Sequence, residues 1–300
     1  MSHKSFLDDN LLLAPTTLAH LDNEFSTSLT DCREHLGMSQ IGHDDDRYLW
    51  LQFRWAFLPG HDARVHRLFS LGNAIEREII EWLRRYCDVI THDESGEQFR
   101  FAAVSGHFGG SIDGVIRNLI ESDQWHVLEC KSASRKKFAE LIKTQSVERW
   151  NYQYYVQAQC YMAMTGLKRC YFVVYCKDDS SLYAERIKYR SSVWQQALER
   201  AQRIIAAAVP PASSWPNEMY YRSRWLSDQQ RAVYWRKQMP VRSCRTCVYA
   251  CPLVDNTNRP VGQWRCQLHC HALDANEQRR SCGDYQCIPD LVPETKGETQ

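Results

Sequence analysis

The sequence predicts a mixed α and β fold with a small cysteine-rich metal-binding module at its C-terminal end. Three observations predict it. Apolar residues near positions 63–86 recur at helical spacing, and short segments rich in β-branched and aromatic residues follow. Seven of the thirteen cysteines crowd between Cys244 and Cys287. The order is helix, strands, helix, strands, helix rather than repeated βαβ units. A boundary near residue 240 separates a main domain, residues 1–240, from the module, residues 241–300.

With 300 residues, 44% apolar and 12% aromatic, the chain can bury a substantial core. No apolar run approaches the roughly 18 to 20 residues of a membrane helix. The N-terminal MSHKSFLDDN lacks the basic-then-apolar layout of a signal peptide, so a cytoplasmic location is expected. Net charge is +1, which leaves any nucleic-acid contact to local patches such as Arg135, Lys136 and Lys137. In a reducing compartment, clustered cysteines read as a metal site rather than as disulfides.

Along residues 1–45 the chain is polar, and the run Asp44, Asp45, Asp46 reads as a solvated surface feature without chemistry. YLWLQFRWAF, from Tyr48 to Phe57, reads as core, and Pro59 and Gly60 interrupt it. Leu71, Ile75, Ile79, Trp82, Leu83 and Tyr86 then mark a helix from near Ala63 to about Tyr86, with Glu76 beside its apolar stripe. Phe99 to Val104, Ser111 to Arg117 and Trp125 to Lys131 read as three antiparallel strands. A second helix runs from Val147 to Met164 and stops at Gly166. Strands over Arg169–Cys176 and Leu182–Tyr189 follow, then a helix from Ser192 to about Ala208 that Pro210 and Pro211 end.

Strand alternation in QWHVLECKS places Trp125, Val127, Glu129 and Lys131 on one face, so a carboxylate and an ammonium emerge side by side. In GGSIDGVIRN the acid Asp113 interrupts an apolar strand, and the short connection ESDQ would fold it back beside Glu129. Two carboxylates and the main-chain carbonyl of Cys130 are hard oxygen ligands suited to Mg²⁺ or Mn²⁺. Such a cation would neutralise charge on a phosphate and acidify a bound water, with Lys131 orienting that water or stabilising the transition state.

Asp113-Gly114, then Glu129-Cys130-Lys131, then Gln157-Ala158-Gln159-Cys160-Tyr161, resembles the PD-(D/E)xK nuclease superfamily in its RecB-like and lambda-exonuclease-like branch. The resemblance covers about residues 45–190. It implies an α/β fold with a mixed central sheet flanked by helices, a restriction-endonuclease-like core. Gln157 and Tyr161 match that branch's Gln-x-x-x-Tyr motif and share a helix face, which Gln153 extends. Leu71-Gly72-Asn73-Ala74-Ile75-Glu76 matches a glycine four residues before an acid, and makes Glu76 the additional metal ligand or water-positioning group.

In the tail, Cys244-x-x-Cys247 is the spacing of a metal knuckle, and Cys266 and Cys282 complete a tetrahedral Zn²⁺ set. Cys251, Cys270 and Cys287, with His269 and His271, stand as alternates. Some RecB-like nucleases hold a 4Fe–4S cluster on one cysteine before the core and three after it, here resembling Cys244, Cys247 and Cys251. The segment Ser39–Trp50 resembles the opening of phage-encoded members, where a cysteine often precedes the Arg; here Asp45 or Asp46 stands instead, and Cys32 lies nearby. Ligand availability favours zinc. Arg242, Arg245, Arg265, Arg279 and Arg280 are expected to contact phosphates from the folded tail.

The resemblance implies a metal-dependent deoxyribonuclease of phage or prophage type, an exonuclease that processes DNA ends in recombination or repair. Its partners would be DNA and a phage recombination or single-strand-binding protein, with a homo-oligomer among the assemblies the branch uses. A structure-specific endonuclease on branched DNA, a non-cleaving nucleic-acid or host-protein binding protein and an iron–sulfur redox sensor are the alternatives.

Overall fold

A computed structural model describes residues 15–23, 32–58, 63–257 and 259–294. In chain order the elements are α1 (Pro15–Asn23), β1 (Leu36–Gly37), α2 (Asp46–Phe53), α3 (Ala63–Leu83), β2 (Asp88–Ile90), β3 (Arg100–Ala103), β4 (Phe108–Ser111), β5 (Gly114–Arg117) and β6 (His126–Ala133). They continue with α4 (Arg135–Thr144), α5 (Val147–Trp150), α6 (Tyr152–Thr165), β7 (Arg169–Cys176), β8 (Leu182–Lys188) and α7 (Ser191–Ala206). The last are α8 (Asp228–Tyr234), β9 (Ala250–Pro252), β10 (Trp264–Cys266), β11 (His271–Leu273) and α9 (Ala275–Arg280). Among the described residues no helix is long and apolar enough to cross a membrane.

The central sheet has the order β2-β5-β6-β7-β8; β6 and β7 run parallel and the other pairs antiparallel. Its two faces are apolar for different partners. Leu128, Cys130 and Val173 meet Ile79 and Ile80 of α3 on one side. Val127, Phe172 and Val174 join the larger cluster with Ala158 and Met162 of α6 and Ile204 and Ile205 of α7 on the other. This is the mixed α/β architecture that the sequence predicts, with helices on both faces of the sheet.

Two expected elements are divided. The strand read from Ser111 to Arg117 breaks at Ile112–Asp113. β4 belongs to a second sheet of order β1-β4-β3, and β5 to the central one. The break follows from pairing at long range: β4 runs parallel to β1, Leu36 opposite Phe108, which pulls it out of the plane of β5. The helix read from Val147 to Met164 is α5 and α6, separated at Asn151, whose side chain accepts from the Tyr154 N–H as an N-cap. Gly166, at φ +75°, ends α6 in the left-handed conformation. The break expected at Pro59 and Gly60 lies outside the described residues.

Within the run Asp44–Asp46, Asp44 is exposed as expected, but Asp45 corrects the expectation of a solvated face. Asp45 is fully buried. It accepts from the Tyr48 N–H at 2.6 Å as the N-cap of α2, from the N–H and hydroxyl of Ser214 at 2.8 Å each, and from the Tyr234 hydroxyl at 3.1 Å. Asp46 is paired with Arg200 and Arg203, each at 2.7 Å, and Asp44 with Arg222 at 3.0 Å. Asp44 and Asp45 fasten the segment before α8 to α2 and Asp46 fastens α7 to it, roles set by residues about 150 to 190 positions away.

Arg245 is the second correction. It is 1% exposed and out of reach of any phosphate. Its guanidinium lies 3.7 Å from the Trp55 ring centroid and 4.6 Å from that of Trp264. It donates to the carbonyls of Phe53 and Glu34 at 3.0 Å each and to Gln278 Oε1 at 2.9 Å. A planar, weakly hydrated cation between indoles, with its N–H groups satisfied, is a form in which a charge can be buried. Trp264, Cys247, Ala250 and Leu273 of the tail thereby join the same core cluster as Leu49, Trp50 and Phe53 of α2.

Asp45→Ala removes a helix cap and takes from Ser214 and from the buried Tyr234 hydroxyl an acceptor that joins the segment before α8 to α2. We expect it to lower the free energy of unfolding by about 2 to 4 kcal/mol. Urea denaturation measures this, and a change under about 0.5 kcal/mol, the size of an ordinary surface substitution, would contradict the buried-cap assignment.

Candidate active site and cysteine cluster

The candidate site forms where the two sheets part. Asp113 occupies the bend between β4 and β5, and its Oδ2 accepts from the Cys130 N–H at 2.7 Å, which fixes the carboxylate against β6. Glu129 and Lys131 share one face of β6, as period-2 alternation requires, and the ammonium donates to Glu129 Oε1. Gln157 Nε2 of α6 donates to the same oxygen at 2.7 Å and lies 3.2 Å from the Tyr161 hydroxyl. Glu76 of α3 enters from the opposite side, and all six residues line one cleft of about 970 Å³. The structure therefore brings together Glu76, Asp113, Glu129, Lys131, Gln157 and Tyr161.

Electrostatics set this group apart from a surface ion pair. Glu129 is fully buried, and its Oε2 has no hydrogen-bond partner. Burial, with Asp113 beside it, pushes Glu129 up to about 8, against the pull of Lys131. Burial and Asp113 likewise raise Glu76 to about 7, and burial raises Asp113. Burial alone would lower Lys131, but Glu129 and Asp113 outweigh it and hold the lysine above its ordinary value. Crowded carboxylates that line an open cleft, one of them with an unpartnered oxygen, have the chemistry of a donor set for a hard divalent cation.

Some residues of the cleft carry no motif. Tyr154 stands with its ring centroid 5.4 Å from Lys131 Nζ, a cation–π contact on the open side of the lysine. Gly110 leaves room for Tyr161, whose hydroxyl would lie 2.9 Å from a Cβ at that position. Gln153, read as extending the Gln157 face, donates to the Ser39 carbonyl at 2.7 Å and pins the chain after β1 along the cleft rim. Arg33, His35 and Arg100 line the rim too, while Arg135, Lys136 and Lys137 stay exposed in the first turn of α4, directly after β6. A helical face could have suggested Tyr154; the rim depends on β1 reaching β4, which no local pattern encodes.

In the tail, Cys244, Cys247, Cys266 and Cys282 line one small cavity together with His269. Burial, then Cys282, Cys247 and Cys266, raise Cys244 to about 11, as expected of sulfurs that share a site. The His269 N–H donates to Cys266 Sγ at 3.4 Å. Cys251 lies apart, against the Arg265 carbonyl and near Arg54. Cys270 is exposed, with its Sγ 3.4 Å from the Gln267 carbonyl oxygen, and Cys287 faces Cys247 across a β-bridge outside the cavity. His271 pairs with Glu277 at 3.0 Å, and Cys32 is not among the lining residues. His269, Cys282 and Asp284 form a further exposed group with donor atoms close enough for one cation.

The raised carboxyls carry a signed consequence for stability. A carboxyl whose folded pKa lies above its unfolded value binds more protons when folded, so stability falls as pH rises between the two. With Glu76 near 7 and Glu129 near 8, the protein free of exchangeable divalent ions should lose thermal stability steadily from about pH 4.5 to 8. Added Ca²⁺ should restore it most at the alkaline end. Differential scanning fluorimetry across that range checks both trends, and a midpoint indifferent to Ca²⁺ at pH 8 would contradict the reading.

Residues 91–168 match the model of the YqaJ-like viral recombinase domain. No curated protein matches the sequence. Solved structures similar to the chain include an alkaline exonuclease, LHK-Exo, from Laribacter hongkongensis, at a TM-score of 0.43 and 19% identity, covering 59% of this chain and 89% of that one. LHK-Exo in complex with dAMP gives a TM-score of 0.43 and 19% identity over 58% and 87% of the two chains. SSO0001 gives 0.36 and 13% identity over 64% and 86%. The stretch that resembles the YqaJ-like viral recombinase domain thus holds Asp113, Glu129, Lys131, Gln157 and Tyr161.

Proposed function

We propose that this protein is a divalent-metal-dependent deoxyribonuclease, an exonuclease that processes DNA ends during phage-type recombination. The observation that carries the reading is the crowding of Asp113, Glu129 and Glu76 around an unpartnered buried oxygen in an open cleft, with Lys131 bonded into the group. The viral recombinase match supports DNA as substrate and recombination as setting.

Asp113, Glu129 and the Cys130 carbonyl would hold Mg²⁺ or Mn²⁺, with Glu76 from α3 as a further ligand or as the group that positions water. When bound, the cation supplies charge neutralisation at the scissile phosphate and an acidified water. Lys131 places its ammonium where negative charge grows on the phosphate oxygens, and Tyr154 screens one side of it from bulk water. Gln157 holds Glu129 in register through its amide, and Tyr161 braces Gln157. The Cys130 N–H keeps Asp113 aimed into the same space.

For the tail we propose a structural Zn²⁺ on Cys244, Cys247, Cys266 and Cys282. The support is their convergence on one cavity with an N–H directed at a sulfur, an arrangement that thiolate metal knuckles use. The alternative 4Fe–4S set of Cys244, Cys247 and Cys251 with Cys32 has less support, since neither Cys251 nor Cys32 lines the cavity that Cys244 and Cys247 share.

Purified protein incubated with end-labelled linear duplex, nicked circles and branched DNA in Mg²⁺, Mn²⁺ or EDTA tests the reading. We expect linear DNA to be degraded from its ends, EDTA to abolish this, and Lys131→Ala to lower kcat by about 10² to 10³ or more. Cutting confined to branched or circular DNA would overturn the exonuclease assignment and keep the metal site. No cutting of any substrate by the wild type would overturn both.

A further inference from the structure

The tail reaches the catalytic cleft through the loop between β9 and β10. The last pair of that hairpin is Pro252 with Trp264, and the Leu253 N–H donates to the Gln263 carbonyl at 2.8 Å. Beyond that point the loop folds onto the turn between β3 and β4. Ser105 Oγ donates to the Asp255 carbonyl at 2.5 Å and accepts from the Asp255 N–H at 2.9 Å, and His107 Nε2 lies 3.2 Å from the Leu253 carbonyl. Two glycines allow the approach. A Cβ on Gly106, at φ +88°, would stand 2.4 Å from the Val261 carbonyl carbon, and one on Gly262 would stand 2.2 Å from His107 Nδ1.

The docked loop carries Pro260 and Val261 into the wall of the cleft, with Leu68 and Phe69 of α3 among the other lining residues. Val261 is 52% exposed there. A second tie runs from the tail to the rim: Arg245 donates to the Glu34 carbonyl, and Arg279 pairs with the Glu34 carboxylate at 3.3 Å. Glu34 sits between Arg33 and His35, both in the cleft wall. The base of the hairpin belongs to the cysteine cluster, since Cys266 ends β10 and pairs with Ala250, three residues after Cys247.

We propose that the β9–β10 loop is a substrate-contacting wall of the cleft, with Val261 lying against the sugar–base face of the bound DNA strand, and that metal in the cysteine cluster sets the position of this wall. The proposal rests on the nuclease reading of the cleft. The occupant is the DNA strand because the loop is continuous with the cleft that holds the carboxylates and with the rim that carries Arg33 and Arg100. The tail then acts on substrate binding more than on the chemical step, because it touches none of Asp113, Glu129 and Lys131.

The test uses the full zinc-loaded chain. Val261→Glu puts a charged, hydrated carboxylate where the apolar side chain is proposed to meet the strand, and Gly262→Ala drives the loop off His107 without altering the cleft surface chemically. Kd for a labelled linear duplex is measured with Ca²⁺ in place of Mg²⁺, and KM and kcat with Mg²⁺. We expect both variants to raise Kd and KM about tenfold or more while kcat at saturation stays within about threefold and zinc content is unchanged. Stripping the tail metal should also speed hydrogen exchange at residues 104–107 and 33–35 relative to the central sheet. Kd and KM within about twofold of wild type, or a loss confined to kcat, overturns the proposal, as does exchange that ignores the metal. Because Kd and exchange are read without turnover, a wild type that binds DNA but never cuts it sinks the nuclease reading alone, and the Val261→Glu loss of binding then still supports the wall.

Discussion

Three carboxylates, Glu76, Asp113 and Glu129, converge around one lysine at the point where two sheets separate, and much of the fold serves to hold them there. Unpaired buried carboxylates cost several kcal/mol each and tend to take up protons instead. The upward shifts at Glu129 and Glu76 are that cost in another form. A structure that stabilised itself alone would give each of these three acids a partner of its own, whereas one lysine, bonded to Glu129, serves the group. The protein spends a Cys130 N–H on Asp113 and a Gln157 amide on Glu129, yet leaves Glu129 Oε2 without a partner. In the reading proposed above, a divalent cation would supply the missing positive charge.

Rigid surroundings make that crowding sustainable. β6 is bracketed by β5 and β7 and covered by α3 on one side and α6 on the other, so Glu129 and Lys131 have little freedom to swing apart. The cleft wall is fastened from a different direction, by the tail. Arg245 between Trp55 and Trp264 joins the tail to α2 and to Glu34 on the rim, and the β9–β10 loop closes over the β3–β4 turn. The carboxylate–lysine group is thus held by the central sheet, and the cleft wall is partly held by the cysteine-rich tail.

What was legible in the sequence is what local periodicity and spacing encode. Alternation put Glu129 and Lys131 on one face, the i,i+4 relation put Gln157 beside Tyr161, and the knuckle spacing gathered Cys244 and Cys247 into one cavity with Cys266 and Cys282. The break at Ile112–Asp113 was not legible, because it depends on Leu36 lying opposite Phe108. Asp45 read as surface because its partners, Ser214 and Tyr234, lie about 170 and 190 positions away. Arg245 read as a phosphate contact for the same reason: an arginine's fate is decided by the indoles around it, and Trp55 and Trp264 come from both ends of the chain.

The most direct test of the central claim is calorimetric titration of Mn²⁺ into the zinc-loaded protein at pH 7, in two buffers of different ionisation heat, for wild type and Asp113→Asn. The account predicts a cleft site in the wild type whose filling releases protons from the raised carboxyls, and an affinity at least about tenfold weaker in Asp113→Asn. Equal affinity in the two proteins, or binding without proton release, would contradict it and leave Glu129 and Lys131 as a buried ion pair with a structural role.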